Sequence, residues 1–174
     1  RAEVRAIIPD GCFERSTARS LLYLGGSLAL VAALVTGAAL WLPMTWAWLP
    51  AWILYAVLTG TAAVGLWVIA HECGHGAFSP NARLQDGIGF VLHSALLVPY
   101  FSWQRSHSVH HAKTNHLDEG ETHVPARACN ADGAPRGERR RRLGPNVAAA
   151  VSIVRALLFG WPAYLLAGAT GGPA

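Results

Sequence analysis

Charge is scarce in this sequence. Of its 174 residues, 14% are Asp, Glu, Lys or Arg and 52% are hydrophobic, whereas soluble globular domains carry about 25% charged residues. From Ser20 to Ala70 charge is absent altogether. Pro43 and Pro50 divide that stretch into two lengths, Leu21 to Leu42 and Ala51 to Ala70. At about 1.5 Å per residue, either length crosses a hydrocarbon core of about 30 Å. The pattern predicts a transmembrane helical hairpin, with Trp41, Trp46, Trp48 and Trp52 at its junction, where an interfacial aromatic belt belongs. A cleaved signal peptide is excluded, because the apolar stretch outlasts an h-region and no small-residue cleavage site precedes the second span.

Cysteine is scarce too. Cys12, Cys73 and Cys129 are odd in number and lack CxxC spacing, so no disulfide framework is implied. Acidic residues are outnumbered by basic ones, giving a net charge of +4. The excess lies in Arg1, Arg5, Arg15 and Arg19 before the hairpin and in the run Arg139, Arg140, Arg141 and Arg142 after it. That run sits among Gly, Pro and Ala, as a solvated linker does, and no nucleic-acid partner is expected. Because both basic regions flank the hairpin, the positive-inside rule places both on the cytosolic side. The sequence opens on Arg1 instead of Met and stops in a Gly-rich stretch, so both ends read as truncated.

The expected fold class is all-α, an integral membrane helical protein. Residues 1–20 form a cytosolic amphipathic lead, 21–70 the hairpin, 71–126 a histidine-rich region, and 127–146 an Arg/Gly/Pro-rich linker. Residues 147–174 begin a further membrane-associated helix, either a third span or a surface helix, since Arg155 and Pro162 interrupt it. Within the histidine-rich region the apolar run Gly87 to Phe101 is too short to span and reads as a re-entrant or interfacial helix.

Chemistry is concentrated in that region. Of eight histidines, five fall into two groups, His71 with His75 and His107 with His110 and His111. Helix residues four apart differ by about 40° and lie one turn apart, so each group can present its rings on one face. A single histidine is ordinarily a core or surface residue, but five at helical spacing point to metal, and imidazole suits Fe, Zn, Cu or Ni. His93, alone in an apolar run, reads as structural, and His116 and His123 as solvated loop residues beside Asp118, Glu119 and Glu121. His71-Glu72-Cys73-Gly74-His75 also satisfies HExxH, the zinc-protease pattern. An intramembrane zinc protease leaves the second group unexplained, since a catalytic zinc takes about three protein ligands.

HECGHGAFS (His71 to Ser79) and HSVHH (His107 to His111) resemble the first two histidine boxes of the membrane fatty acid desaturases. LHSALLVPYFSW (Leu92 to Trp103), IIPDGCFERS (Ile7 to Ser16), WVIAHECGH (Trp67 to His75), GETHVP (Gly120 to Pro125) and FGWPAYL (Phe159 to Leu165) are similar to segments of the omega-6 (delta-12) oleate desaturase type. The arginine-rich insert from about Ala128 to Gly144 is the main departure, and Glu72 favours the omega-6 over the omega-3 branch.

The resemblance implies a diiron centre with His71, His75, His107, His110 and His111 as iron ligands, O2 as co-substrate, an oleoyl phospholipid as substrate, cytochrome b5 as electron donor, and the endoplasmic reticulum as location. It also implies a third box, HxxHH, but no histidine follows His123. This polypeptide alone is therefore expected to be inactive, as a partial sequence or a truncated product. An omega-3 desaturase and an acyl hydroxylase or epoxygenase share the same boxes.

Overall fold

The computed structural model describes residues 2–114, 116, 119 and 142–167. His123, Asp118, Glu121, Cys129, the Gly120 to Pro125 motif and most of the arginine-rich linker lie outside them. The secondary structure described is helical throughout, without strands. The chain divides into two units, Arg1–Gln104 and Arg105–Ala174.

In the first unit, α1 (Ala2–Ile7) and a short 3-10 turn (Asp10–Phe13) precede α2 (Thr17–Trp41). The α2 helix starts ahead of the expected Leu21, because Ser16 caps it by accepting from the Arg19 amide at 3.4 Å. A cap residue, not the end of charge, decides where a helix begins. Pro43 follows its end, since the residue before a proline avoids helical angles. Trp52 Nε1 donates to the Pro43 carbonyl at 3.1 Å and fastens the hairpin turn. The second helix, α3 (Leu49–Gly74), carries Pro50 in its first turn, where a missing N–H costs nothing. It runs beyond the expected Ala70 to include the first histidine.

Both helices are long and apolar enough to cross a membrane. Leu22, Leu40, Ile53, Leu54 and Val57 are exposed on them, as lipid-facing residues are. Within this apolar surface the Thr61 hydroxyl donates to the Val57 carbonyl at 2.7 Å, so the hydroxyl carries no unmet hydrogen bond into lipid.

The apolar run 87–101 does not form one helix. Asn81 caps α4 (Ala82–Ala95) by accepting from the Leu84 amide at 3.2 Å, and the chain then breaks at Leu97, whose φ is +60°. A new helix, α5 (Tyr100–Ala112), follows Pro99. Hydropathy alone overlooks α4's polar first turn. The helix buries Gln85, Gly89, Leu92 and His93, the spacing of one amphipathic face. That face packs on Leu66 and Ala70 of α3, with Leu24 and Val31 of α2 around them.

A second cluster, Cys73, Phe78 and Tyr100, sits beside the first. Tyr100 is 1% exposed and donates to Asp86 Oδ1 at 3.0 Å. Burial first, and then Asp86, push the Tyr100 hydroxyl above its ordinary range, so it stays protonated and donating. Its contribution is present below the ordinary tyrosine pKa of about 10 and is lost as pH rises through the elevated folded value. Tyr100→Phe strands a part-buried carboxylate and is expected to lower stability by about 1–3 kcal/mol, read as a lower Tm of the detergent-solubilised protein at neutral pH. An unchanged Tm would show that the hydrogen bond contributes nothing net.

In the second unit, the latter part of α5 carries the second histidine group. Lys113 pairs with Glu119 and holds that carboxyl below its usual range. Further on, α6 (Pro145–Arg155) widens into a π-helical turn (Ala156–Gly160) before α7 (Trp161–Ala167). Pro162 explains the widening: it has no N–H to donate, and its ring crowds the carbonyl four residues back. The stretch Pro145–Ala167 is itself long and apolar enough to cross a membrane despite Arg155.

Candidate metal centre

The first histidine pair is placed by the way α3 ends. His71 lies in its last turn and His75 caps it. Gly76 follows with φ +72°, its amide donating to the Cys73 carbonyl at 3.0 Å while the Ala77 amide donates to that of Glu72 at 2.9 Å. This double closure needs a left-handed residue, and glycine adopts that conformation without penalty. The loop beyond is fixed as well. Ser79, buried, shares a 2.8 Å hydroxyl hydrogen bond with Thr17 at the start of α2. With its amide nitrogen turned inward, Gln85 donates to the Gly76 and Ser79 carbonyls at 3.2 and 3.1 Å.

His71 Nε2 and His75 Nε2 face each other at 3.2 Å. On the opposite edge of His71, Nδ1 meets Glu72 Oε1 at 3.0 Å. A carboxylate there accepts a hydrogen bond from Nδ1–H and leaves the Nε2 lone pair to face a metal, the arrangement that metal-binding histidines use. Trp67 stacks on His71 with ring centroids 5.6 Å apart, and Trp103 approaches it at 5.3 Å. Trp103 comes this close because residue 74 is glycine: a Cβ there would lie 2.6 Å from the indole. Gln104 Nε2 adds a 3.1 Å hydrogen bond to the Gly74 carbonyl.

In the second unit the same motif recurs on α5. His107 Nε2 and His111 Nε2 stand 3.0 Å apart. His110 stacks beside His107 at a centroid distance of 5.9 Å and lies 5.6 Å from His111, but its nitrogens do not join the Nε2 pair. Among the described residues, the side chains able to hold a metal are the pairs His71 with His75 and His107 with His111. His116 instead accepts from the Glu119 amide at 3.0 Å in an exposed loop.

These pairs fit a first-row metal ion. Imidazole nitrogens bind such an ion at about 2.0–2.1 Å, and two of them on adjacent coordination positions are then about 3.0–3.4 Å apart. Both Nε2 separations, 3.2 and 3.0 Å, fall in that interval. The donors are all imidazole nitrogens, which suit iron, zinc or copper and not calcium or magnesium. Glu72 is turned onto His71 at 3.0 Å and is engaged as an orienting partner of that ring.

In the sequence His93 reads as structural, and no motif singles out Trp67 and Trp103 for the site. Their signal is the four-residue step, since Trp67 precedes His71 and Trp103 precedes His107 by one helical turn.

The family model for fatty acid desaturases matches residues 46–173. An oleate hydroxylase of Claviceps purpurea is 40% identical over 97% of this chain and 37% of its own length. A delta-12 oleate desaturase of Trichosanthes kirilowii is 37% identical over 99% of the chain and 46% of its own length, and a delta-12 acyl-lipid conjugase of Impatiens balsamina is 37% identical over 98% and 44%. The chain thus spans less than half the length of each of these relatives. Its paired imidazoles lie inside the matched region, and the chain belongs to the fatty acid desaturase family.

Proposed function

We propose that this chain is the amino-terminal part of a membrane acyl-lipid desaturase whose complete form introduces a double bond at the delta-12 (omega-6) position of an oleoyl lipid. Two iron ions and O2 serve the reaction, and His71, His75, His107, His110 and His111 are five of the iron ligands. The third HxxHH box belongs to the remainder of the protein. The observation that carries the reading is the pairing of Nε2 atoms at 3.2 and 3.0 Å in two histidine boxes of a desaturase-family chain.

Iron with dioxygen supplies the oxidising power needed to take hydrogen from an unactivated methylene, which no side chain has. The chain's own residues bind and orient. Glu72 holds the proton of His71 at Nδ1, and Trp67 and Trp103 keep water from its faces. The first box begins where α3 ends, so the imidazoles meet the aqueous edge, where polar groups cost least, while acyl chains enter along the lipid-facing hairpin. On this reading the protein sits in the endoplasmic reticulum with its boxes on the cytosolic side and takes electrons from cytochrome b5.

A hydroxylase is the second reading, favoured by the similarity to an oleate hydroxylase. Expressing the full-length gene in a yeast that makes oleate but no linoleate separates the two. Linoleate is the expected product. A hydroxylated oleate in its place would move the assignment to the hydroxylase, and no new fatty acid would remove both.

A further inference from the structure

His93 is completely buried, and among the described residues its ring nitrogens meet at most the Trp67 backbone, short of full hydrogen-bond geometry. Desolvation holds it below its ordinary pKa, so the ring is neutral. Burying poorly matched polar atoms is unfavourable, and a leucine or phenylalanine in the same space would avoid that penalty.

The surroundings indicate what the ring does. Trp67, Tyr100 and Trp103 enclose it, with centroids at 5.5, 5.6 and 4.7 Å. The Trp103 contact is perpendicular at 89°, an arrangement in which an edge meets a π face and an N–H can donate weakly to an indole. Trp67 and Trp103 are also the two indoles that flank His71. His93 and His71 therefore share the same pair of rings, one on the buried side and one on the open side.

We propose that His93 is a positioning residue for His71, acting through Trp67 and Trp103. The inference rests on the reading of His71 as a metal ligand. With His93 in place the indoles cannot close inward, and the imidazole between them keeps the tilt that aims Nε2 at His75. Without a ring at 93 the indoles relax into the space, and His71 turns with them. Tyr100 forms the third wall and is itself fixed by Asp86, so the adjustment falls on the indoles.

The test uses purified full-length protein, with iron affinity measured by chelator competition and the iron environment by Mössbauer spectroscopy. His71→Ala is the reference and loses iron. His93→Leu, which fills space without a ring, is expected to weaken iron binding by about 10-fold, the lower end of effects from residues behind metal ligands, and to alter the Mössbauer signature. His93→Phe, which restores a ring against both indoles, binds iron more tightly than His93→Leu. Wild-type affinity and signature in His93→Leu, or equal loss in the Leu and Phe variants, overturns the inference while the ligand role of His71 stands. Full iron retention in His71→Ala overturns that ligand role and the inference with it. Should His93→Leu fail to fold, His93→Gln takes its place with the same expectation, and wild-type iron binding in it overturns the proposal.

Discussion

Alanine at His107, His110 or His111 of the full-length protein abolishes the dienoic fatty acid formed in the oleate-producing yeast, while the protein still inserts into membrane. The expected loss is large because each ring is a proposed ligand. Residues that merely orient a ligand change metal affinity by about 10–100-fold, and removing the ligand itself costs more. Insertion survives because the charge-free stretch from Ser20 to Ala70, which drives it, contains none of these residues. His107 and His111 face each other through Nε2 at 3.0 Å, whereas His110 stands beside them. As all three are proposed ligands, iron content should fall in each variant, and unchanged product in all three would end the ligand assignment. Iron is the diagnostic metal: a full load of zinc with no iron would contradict the diiron reading even if product were lost.

Much of this was legible in the sequence because membrane spans and helix-spaced ligands are local patterns. The charge-free stretch from Ser20 to Ala70 located α2 and α3, since a bilayer imposes a length and a polarity that few other environments do. The four-residue steps in His71 to His75 and His107 to His111 needed only a helix to bring the nitrogens to 3.2 and 3.0 Å. What escaped was whatever depends on a capping side chain or a partner remote in sequence. The start of α2 depends on Ser16 and that of α4 on Asn81, and hydropathy registers neither. The break inside 87–101 depends on Leu97 taking a left-handed conformation before Pro99, which few leucines do. Likewise the burial of His93 is a consequence of α4 folding back on α3, so its apolar neighbours in sequence did not reveal the aromatic rings around it. Gly74 could be read as part of a histidine motif, but its close approach to Trp103 appears only in three dimensions.

The same kind of contact gives the second large effect, at Gly89. A Cβ there would lie 2.4 Å from Cε2, 2.5 Å from Cζ and 2.8 Å from the hydroxyl oxygen of Tyr100, and that ring has nowhere to go. It is 1% exposed, packed with Cys73 and Phe78, and tied to Asp86. Gly89→Ala must therefore push α4 away from the start of α5 or break the Asp86 hydrogen bond. Overpacking of this kind costs about 1–3 kcal/mol and sometimes more. The gain in helix propensity from Gly to Ala is at most about 1 kcal/mol, so destabilisation wins. Gly60, where an added Cβ would meet nothing within 4 Å, is the matched control, and Gly60→Ala is expected to hold or slightly raise the Tm. Displacing Tyr100 also displaces Trp103 one turn later on α5, so Gly89→Ala lowers iron retention along with Tm, although residue 89 is not among the proposed ligands. Trimming the ring relieves the clash: Tyr100→Leu destabilises the Gly89→Ala protein less than it destabilises the wild type. Strict additivity of the two changes would mean that Gly89 and Tyr100 do not meet, and that the start of α5 is not held against α4 by this contact.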